Sequence, residues 1–228
     1  MRVAVTGTAC VGKSTFIKDF LKNWEGVYTA PEKSYRDIIV DKKLPHSIST
    51  TKETQETILN SMVDEHMKYT RDDCVIFDRC PIDNLAYSIY AYDNNSSNID
   101  EEFIGDCIPI VKETMKFVDI IFYIPYDSTV KIEDNGLRET DEKYITSVDN
   151  ILKQVESQSH QPTSVFFHST ERPAVIQIEG SPIERIKQAS LYITDQGDSY
   201  SEEDCDIDWT ELAELGIKPE DVFPGGRL

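Results

Sequence analysis

"VAVTGTACVGKSTF", residues Val3 to Phe16, is the stretch that decides the fold of this chain. Arg2 to Thr6 is a short run of β-branched and small residues ending at a glycine, which reads as a buried strand. After Ser14, apolar residues return at Phe16, Ile17, Phe20 and Leu21, the spacing of one helix face, and Gly26 closes that helix. Between strand and helix, Gly7, Gly12, Lys13 and Ser14 satisfy G-x-x-x-x-G-K-[ST]. Four such fixed positions recur by chance in roughly one per cent of chains of this length, and the flanking strand and helix make the match more specific still.

The glycines let successive backbone N–H groups turn inward, and the helix N-terminus adds partial positive charge, so the loop is expected to cradle a nucleoside triphosphate. The cradle comprises Gly7, Thr8, Ala9, Cys10, Val11, Gly12, Lys13, Ser14 and Thr15. Lys13 is placed to reach the outer phosphates, and the Ser14 hydroxyl to ligate Mg²⁺. ATP and Mg²⁺ are therefore the expected cofactors.

Working outward, Val27 to Thr29 reads as a second, shorter strand and Thr51 to Met67 as a helix. The run Cys74 to Phe77 ends at Asp78, as a strand does when it delivers an acid to the metal beside a phosphate loop. Helices over about 82–92 and 100–116, a strand from Val118 to Ile124, a strand from Val175 to Ile178 and a helix opened by Pro182 complete the pattern. Apolar strands alternating with amphipathic helices make the expected class α/β: a three-layer P-loop NTPase with a mostly parallel central sheet. Residues 1–194 form the expected catalytic domain, and 195–228 an acidic C-terminal extension in which Trp209, Leu212 and Phe223 can dock a short helix.

The 228 residues suit one domain, with 39% apolar residues to fill a core. A formal net charge of −19 argues against nonspecific binding of duplex DNA. Five cysteines show no metal-ligand spacing, and the first strand begins too early for a targeting segment, so a reduced, cytoplasmic protein without a membrane span is expected. The four histidines do not cluster and carry no expected role.

"FDRCPIDNLAYS", Phe77 to Ser88, resembles the DR-x-x-x-S-x-x-A-Y-Q segment of thymidylate kinases. It is closer still to the DR-x-P-x-D-x-L-A-Y form of phage and bacterial AAA-type P-loop kinases related to the nicotinamide riboside kinase domain. The resemblance implies that Asp78 and Arg79 lie at the reaction centre, with Asp78 as a second metal ligand and Arg79 as a phosphate clamp. Asp83 stands where thymidylate kinases carry serine, and it is implied to face the substrate. "APEKSYR", Ala30 to Arg36, is similar to the segment where deoxynucleoside kinases place an acid that takes the acceptor's proton, which falls on Glu32. Tyr35 and Arg36 would then contact the acceptor's base or phosphate. "EDNGLRETDEKY", Glu133 to Tyr144, resembles the start of this family's lid, about 131–156, with Gly136 as hinge and Arg138 folding over the phosphates.

Together these matches imply ATP-dependent phosphoryl transfer to a nucleoside or nucleoside monophosphate. Two other readings stay open. One is a kinase acting on hydroxymethylated pyrimidine (5-hydroxymethyluridine) in DNA, with Lys42, Lys43, Lys52 and Lys68 along one edge. The other is a nucleotide-binding ATPase switch whose tail recruits a partner. A homodimer is also compatible with the sequence.

Overall fold

The computed structural model describes residues 1–129 and 141–200. Its centre is a four-stranded parallel sheet in the order β2-β1-β3-β4, built from β1 (Arg2–Thr6), β2 (Val75–Asp78), β3 (Ile120–Tyr123) and β4 (Ala174–Gln177). Since the chain leaves β1 for β2 on one side and returns for β3 on the other, β1 is the topological switch point. The crevice at its carboxyl end is where a ligand is expected.

Parallel strands bury both faces, and the alternation of side chains assigns each residue to a layer. Val3, Val5, Ile76 and Phe122 face α1 (Lys13–Asn23) and α7 (Pro182–Ala189). There Phe16 meets Phe122 edge-on at 5.7 Å, and Phe20 packs against Trp24 at 4.4 Å. Ala4, Val75, Phe77, Ile121 and Tyr123 face the opposite layer of α3 (Lys52–His66), α4 (Pro81–Asp93), α5 (Glu101–Thr114) and α6 (Glu142–Glu156). The expected three-layer α/β arrangement is the one observed.

Local chemistry sets the helix starts. Thr51 accepts the Thr54 N–H at 3.3 Å, and Asp100 accepts that of Phe103 at 2.8 Å. Ser181 and Glu184 form a capping box around Pro182, which sits where its missing N–H costs nothing.

The strand expected at Val27–Thr29 shrinks to one parallel bridge between Thr29 and Val75. Thr29 makes both ladder bonds, donating to Cys74 O at 3.1 Å and accepting from Ile76 at 2.9 Å. Two residues on, Pro31 has no N–H to continue the ladder, and on the other side Val27 has already spent its N–H on Trp24 O. The chain then turns away into α2 (Tyr35–Lys42), a helix the apolar pattern does not announce because none of its residues is buried. Residues 130–140, with Gly136 and Arg138 of the expected lid, and residues 201–228 of the expected extension lie outside the described residues, while Glu142–Glu156 of the expected lid is α6. The opening of that extension folds back on the body, with an antiparallel bridge between Ile193 and Ser199 and a 2.8 Å bond from Tyr28 Oη to Gly197 O.

Candidate active site

The loop after β1 has the backbone that phosphate binding needs. Gly7 takes φ 142°, and a Cβ there would collide with the carbonyl oxygen of Ile124. Gly12, at φ 89°, caps α1 without any side-chain hydrogen bond, so the first amides of the helix stay open to a ligand. Lys13 is buried, and its ammonium is held by the carbonyls of Gly7, at 2.7 Å, and Thr8. Burial, and then the neighbouring Arg79 charge, push its pKa well below the usual lysine value. An ammonium held by two dipoles beside a guanidinium gains strongly from an incoming anion.

A second element closes the loop from the side. Arg79 follows β2 with φ 83°, a conformation that costs a non-glycine residue of order 1–3 kcal/mol unless its surroundings enforce it. They do. Its Nη1 donates to Gly7 O at 3.0 Å and to Asp83 Oδ1 at 2.5 Å, Nη2 to Tyr87 Oη at 2.9 Å, and Nε to Tyr35 Oη at 2.9 Å. The Tyr87 ring lies 4.8 Å from the guanidinium carbon. Asp83 has no exposure: Oδ1 also receives the Gly7 N–H at 3.4 Å, and Oδ2 receives the Cys80 N–H at 3.1 Å as the capping box of α4. Asp83 therefore ties α4 to the phosphate loop at the wall of the cavity that it also lines.

In front of these groups lies a cavity of about 340 Å³. Ala9 to Ser14 line one end, while Gln55, Asn84, Tyr87 and Tyr144 line the far wall, and α2 roofs it with Tyr35, Arg36, Ile39 and Val40. Gln55 and Asn84 are buried and joined, Asn84 Nδ2 donating to Gln55 O at 3.0 Å and to Gln55 Oε1 at 2.6 Å. The backbone carbonyl fixes the polarity of the pair, and Gln55 Nε2 passes the chain on to Thr50 Oγ1 at 2.7 Å. A volume of this size, largely apolar with a few convergent polar groups, suits a small organic ligand. A smaller cavity of about 160 Å³ runs beneath Tyr35, lined by Ile17, Pro31, His66, Asp78 and Arg79.

The two expected metal ligands come together through a cation of the protein itself. Arg36 Nη1 is 3.1 Å from Asp78 Oδ2 and 3.4 Å from Ser14 Oγ. The second Asp78 oxygen is buried without a hydrogen-bond partner. Hard oxygen donors, one unmatched carboxylate oxygen and a positive group seated between them fit Mg²⁺. Among the described residues no set of three or more His, Cys, Asp or Glu gathers to hold a metal.

Most of the expected residues converge. Lys13, Ser14, Tyr35, Arg36, Asp78, Arg79 and Asp83 form one connected cluster. Gly7 and Thr8 lie buried under the loop, and Thr15 is exposed on α1. Glu32 does not join them: it is exposed and lines neither cavity. Pro31 ends the β-bridge just before it, and Ser34 caps α2 two residues later, so the residues turned toward the cavity are Tyr35 and Arg36. Arg138 lies outside the described residues. Tyr90 packs edge-on against Tyr144 at 4.7 Å, while Tyr87 faces the cavity. The Gln55–Asn84 pair carried a sequence signal, since both are polar residues on otherwise buried helix faces.

Comparison with known proteins places this geometry. The family described as AAA domain matches residues 2–169. A comparison with curated proteins finds no match. Among solved structures, deoxyadenosine kinase from M. mycoides with products dCMP and dCDP aligns with TM-score 0.58 at 15% identity, covering 83% of this chain and 96% of that one. Thymidylate kinase from Candida albicans aligns with TM-score 0.58 at 13% identity, covering 94% of this chain and 91% of that one. NadR protein in complex with NR gives TM-score 0.58 at 15% identity over 83% of this chain, which spans only 50% of NadR. The chain thus belongs to the AAA-domain family and has the fold of the P-loop nucleoside and nucleotide kinases.

Proposed function

We propose that this protein transfers the γ-phosphoryl group of ATP to a nucleoside or nucleoside monophosphate. The observation that carries the reading is one cavity lined both by the phosphate loop and by the Gln55–Asn84 amide pair, with Tyr35 and Tyr87 held beside the loop through Arg79. Such a shape holds a triphosphate tail and a second, base-bearing molecule together. Phosphoryl transfer through a loose transition state asks mainly for positioning and charge neutralisation. Lys13 and Arg79 supply positive charge side by side at the Gly7 carbonyl to which both donate, and Arg138 would add a third charge. Ser14 and Asp78 are the residues that would hold Mg²⁺, which when bound shields the charge on the transferring phosphate oxygens. The half-buried Tyr87 hydroxyl and the buried Asp83 carboxylate keep the Arg79 fork aimed, while Glu32 has no assigned part in this scheme.

The reading is tested by incubating the protein with γ-labelled ATP and Mg²⁺ against separate pools of nucleosides, nucleoside monophosphates and DNA containing 5-hydroxymethyluridine. Label in either of the first two pools supports it, and label in the DNA pool transfers the assignment to that substrate. Release of inorganic phosphate alone, whatever acceptor is present, marks an ATPase switch. Lys13→Ala should lower the transfer rate by about 10²–10³, the loss seen when one preorganised electrostatic contact to a transition state is removed.

A further inference from the structure

The cluster at Ser14 and Asp78 holds an arginine where the phosphotransfer reading needs a divalent cation. We infer that Arg36 is a built-in placeholder for that cation, and that metal loading frees α2, the roof of the acceptor cavity, by displacing it. The inference rests on the function proposed above.

Three observations carry it. The Arg36 guanidinium spans the two metal-ligand candidates, with contacts of 3.1 Å to Asp78 Oδ2 and 3.4 Å to Ser14 Oγ. A divalent ion taking those oxygens and a guanidinium carrying full charge cannot share the site, since like charges at contact distance repel strongly outside bulk water. Secondly, α2 packs on α3 without fully burying any of its own residues, and Val40 is 72% exposed. Its ties to the site run through the head of the helix, where Tyr35 Oη accepts from both Arg79 Nε, at 2.9 Å, and Arg36 Nε, at 3.1 Å. Thirdly, the same helix roofs the cavity with Ile39 and Val40. One ion pair therefore joins the metal position to the acceptor's enclosure, and a ligand that breaks the pair shifts the helix.

Arg36 is 44% exposed on its side chain and Asp78 18%, so the pair is weak enough to exchange. That is the property a placeholder requires. It neutralises Asp78 when no metal is bound, and it competes without preventing loading. In this role Arg36 is a positioning residue for the metal and for α2, distinct from the buried Arg79 that stays in place throughout.

The test uses Mn²⁺ with the non-hydrolysable triphosphate AMP-PNP, and reads free Mn²⁺ by electron paramagnetic resonance. Arg36→Gln should tighten Mn²⁺ binding by about two- to five-fold, the range expected for losing one partly exposed competing pair. Arg36→Lys, which keeps the charge, should remain with the wild type. Backbone exchange at residues 35–43 should quicken in the wild type when Mn²⁺·AMP-PNP replaces AMP-PNP in EDTA, and should already be fast in Arg36→Gln with or without metal. Unchanged or weaker Mn²⁺ binding in Arg36→Gln overturns the inference, as does Arg36→Lys behaving like Gln, or exchange in α2 that ignores the metal. If AMP-PNP fails to bind even the wild type, the phosphotransfer reading falls and takes this inference with it. Normal nucleotide binding with insensitive metal affinity sinks the placeholder alone.

Discussion

Two arginines meet the same phosphate loop and are held in opposite ways. Arg79, at the head of α4, is buried, spends its fork on Gly7, Asp83, Tyr35 and Tyr87, and accepts a strained backbone to do so. Arg36, on α2, is half-exposed and makes its ion pair across open ground to Asp78. The contrast separates a part of the site built to stay from a part built to exchange. A charge that must stabilise a transition state gains from preorganisation in a dry setting. A group that must yield to an incoming ligand gains from a weak, solvated pair.

The sharpest way to break this contrast is to remove the anchor of the rigid half. Asp83→Ala leaves Arg79 buried and unpaired and should cost about 3–5 kcal/mol of stability, measured by urea denaturation. A loss below about 1 kcal/mol would place Arg79 in the exchangeable class and erase the distinction.

Next in size is a pH effect under the rigid half. His66 is buried at 2% exposure and stacked on Phe77 at 4.0 Å, with Nδ1 bonded to Met62 O at 2.7 Å and Nε2 left without a partner. Burial pushes its pKa down from 6.5 to about 4. The unfolded chain therefore takes up a proton near pH 6.5, while the folded chain resists until about pH 4. Between those values the unfolded state binds more protons, so stability falls as pH is lowered. The loss attributable to this group between pH 7 and pH 4.5 should be about 2–3 kcal/mol. His66→Phe, which keeps an aromatic ring on Phe77, should show an acid dependence smaller by that amount in urea titrations at the two pH values.

Cutting the amide chain sharpens the comparison at the acceptor wall. Gln55→Ala removes the side-chain amide bonded to Asn84 and Thr50, leaving Asn84 only the backbone carbonyl of residue 55, and should cost about 1–3 kcal/mol, the penalty of leaving buried polar groups unmet. With the acceptor identified, the same variant should raise its KM while leaving ATP affinity unchanged. The smallest effect belongs to the flap: Arg36→Ala should change stability by no more than about 1 kcal/mol. Thermal or urea unfolding checks this directly, and a large loss would show that α2 is a structural strut.

The cradle and the acid-arginine pair at the end of β2 were legible because local sequence controls them. Gly7 and Gly12 are required by positive φ, the strand-to-helix change is a change of apolar period, and the arginine follows an apolar run ending in an acid. Other features depended on partners distant in sequence. That Asp83 also bonds Gly7, 76 residues away, shows only in the folded chain. The Gln55–Asn84 pair joins two helices 29 residues apart. Glu32 drops out because the geometry of Pro31 and the cap at Ser34 turn its neighbours, not itself, toward the cavity.

By itself, then, the sequence determined the alternation of buried strands and helices, the phosphate loop and the charge types beside it, all consequences of backbone freedom and apolar periodicity over a few residues. Only the tertiary structure decided which of those charges are committed and which remain free to change partners. That decision rests on burial and on who lies within hydrogen-bond reach, and both are set by parts of the chain that meet only after folding.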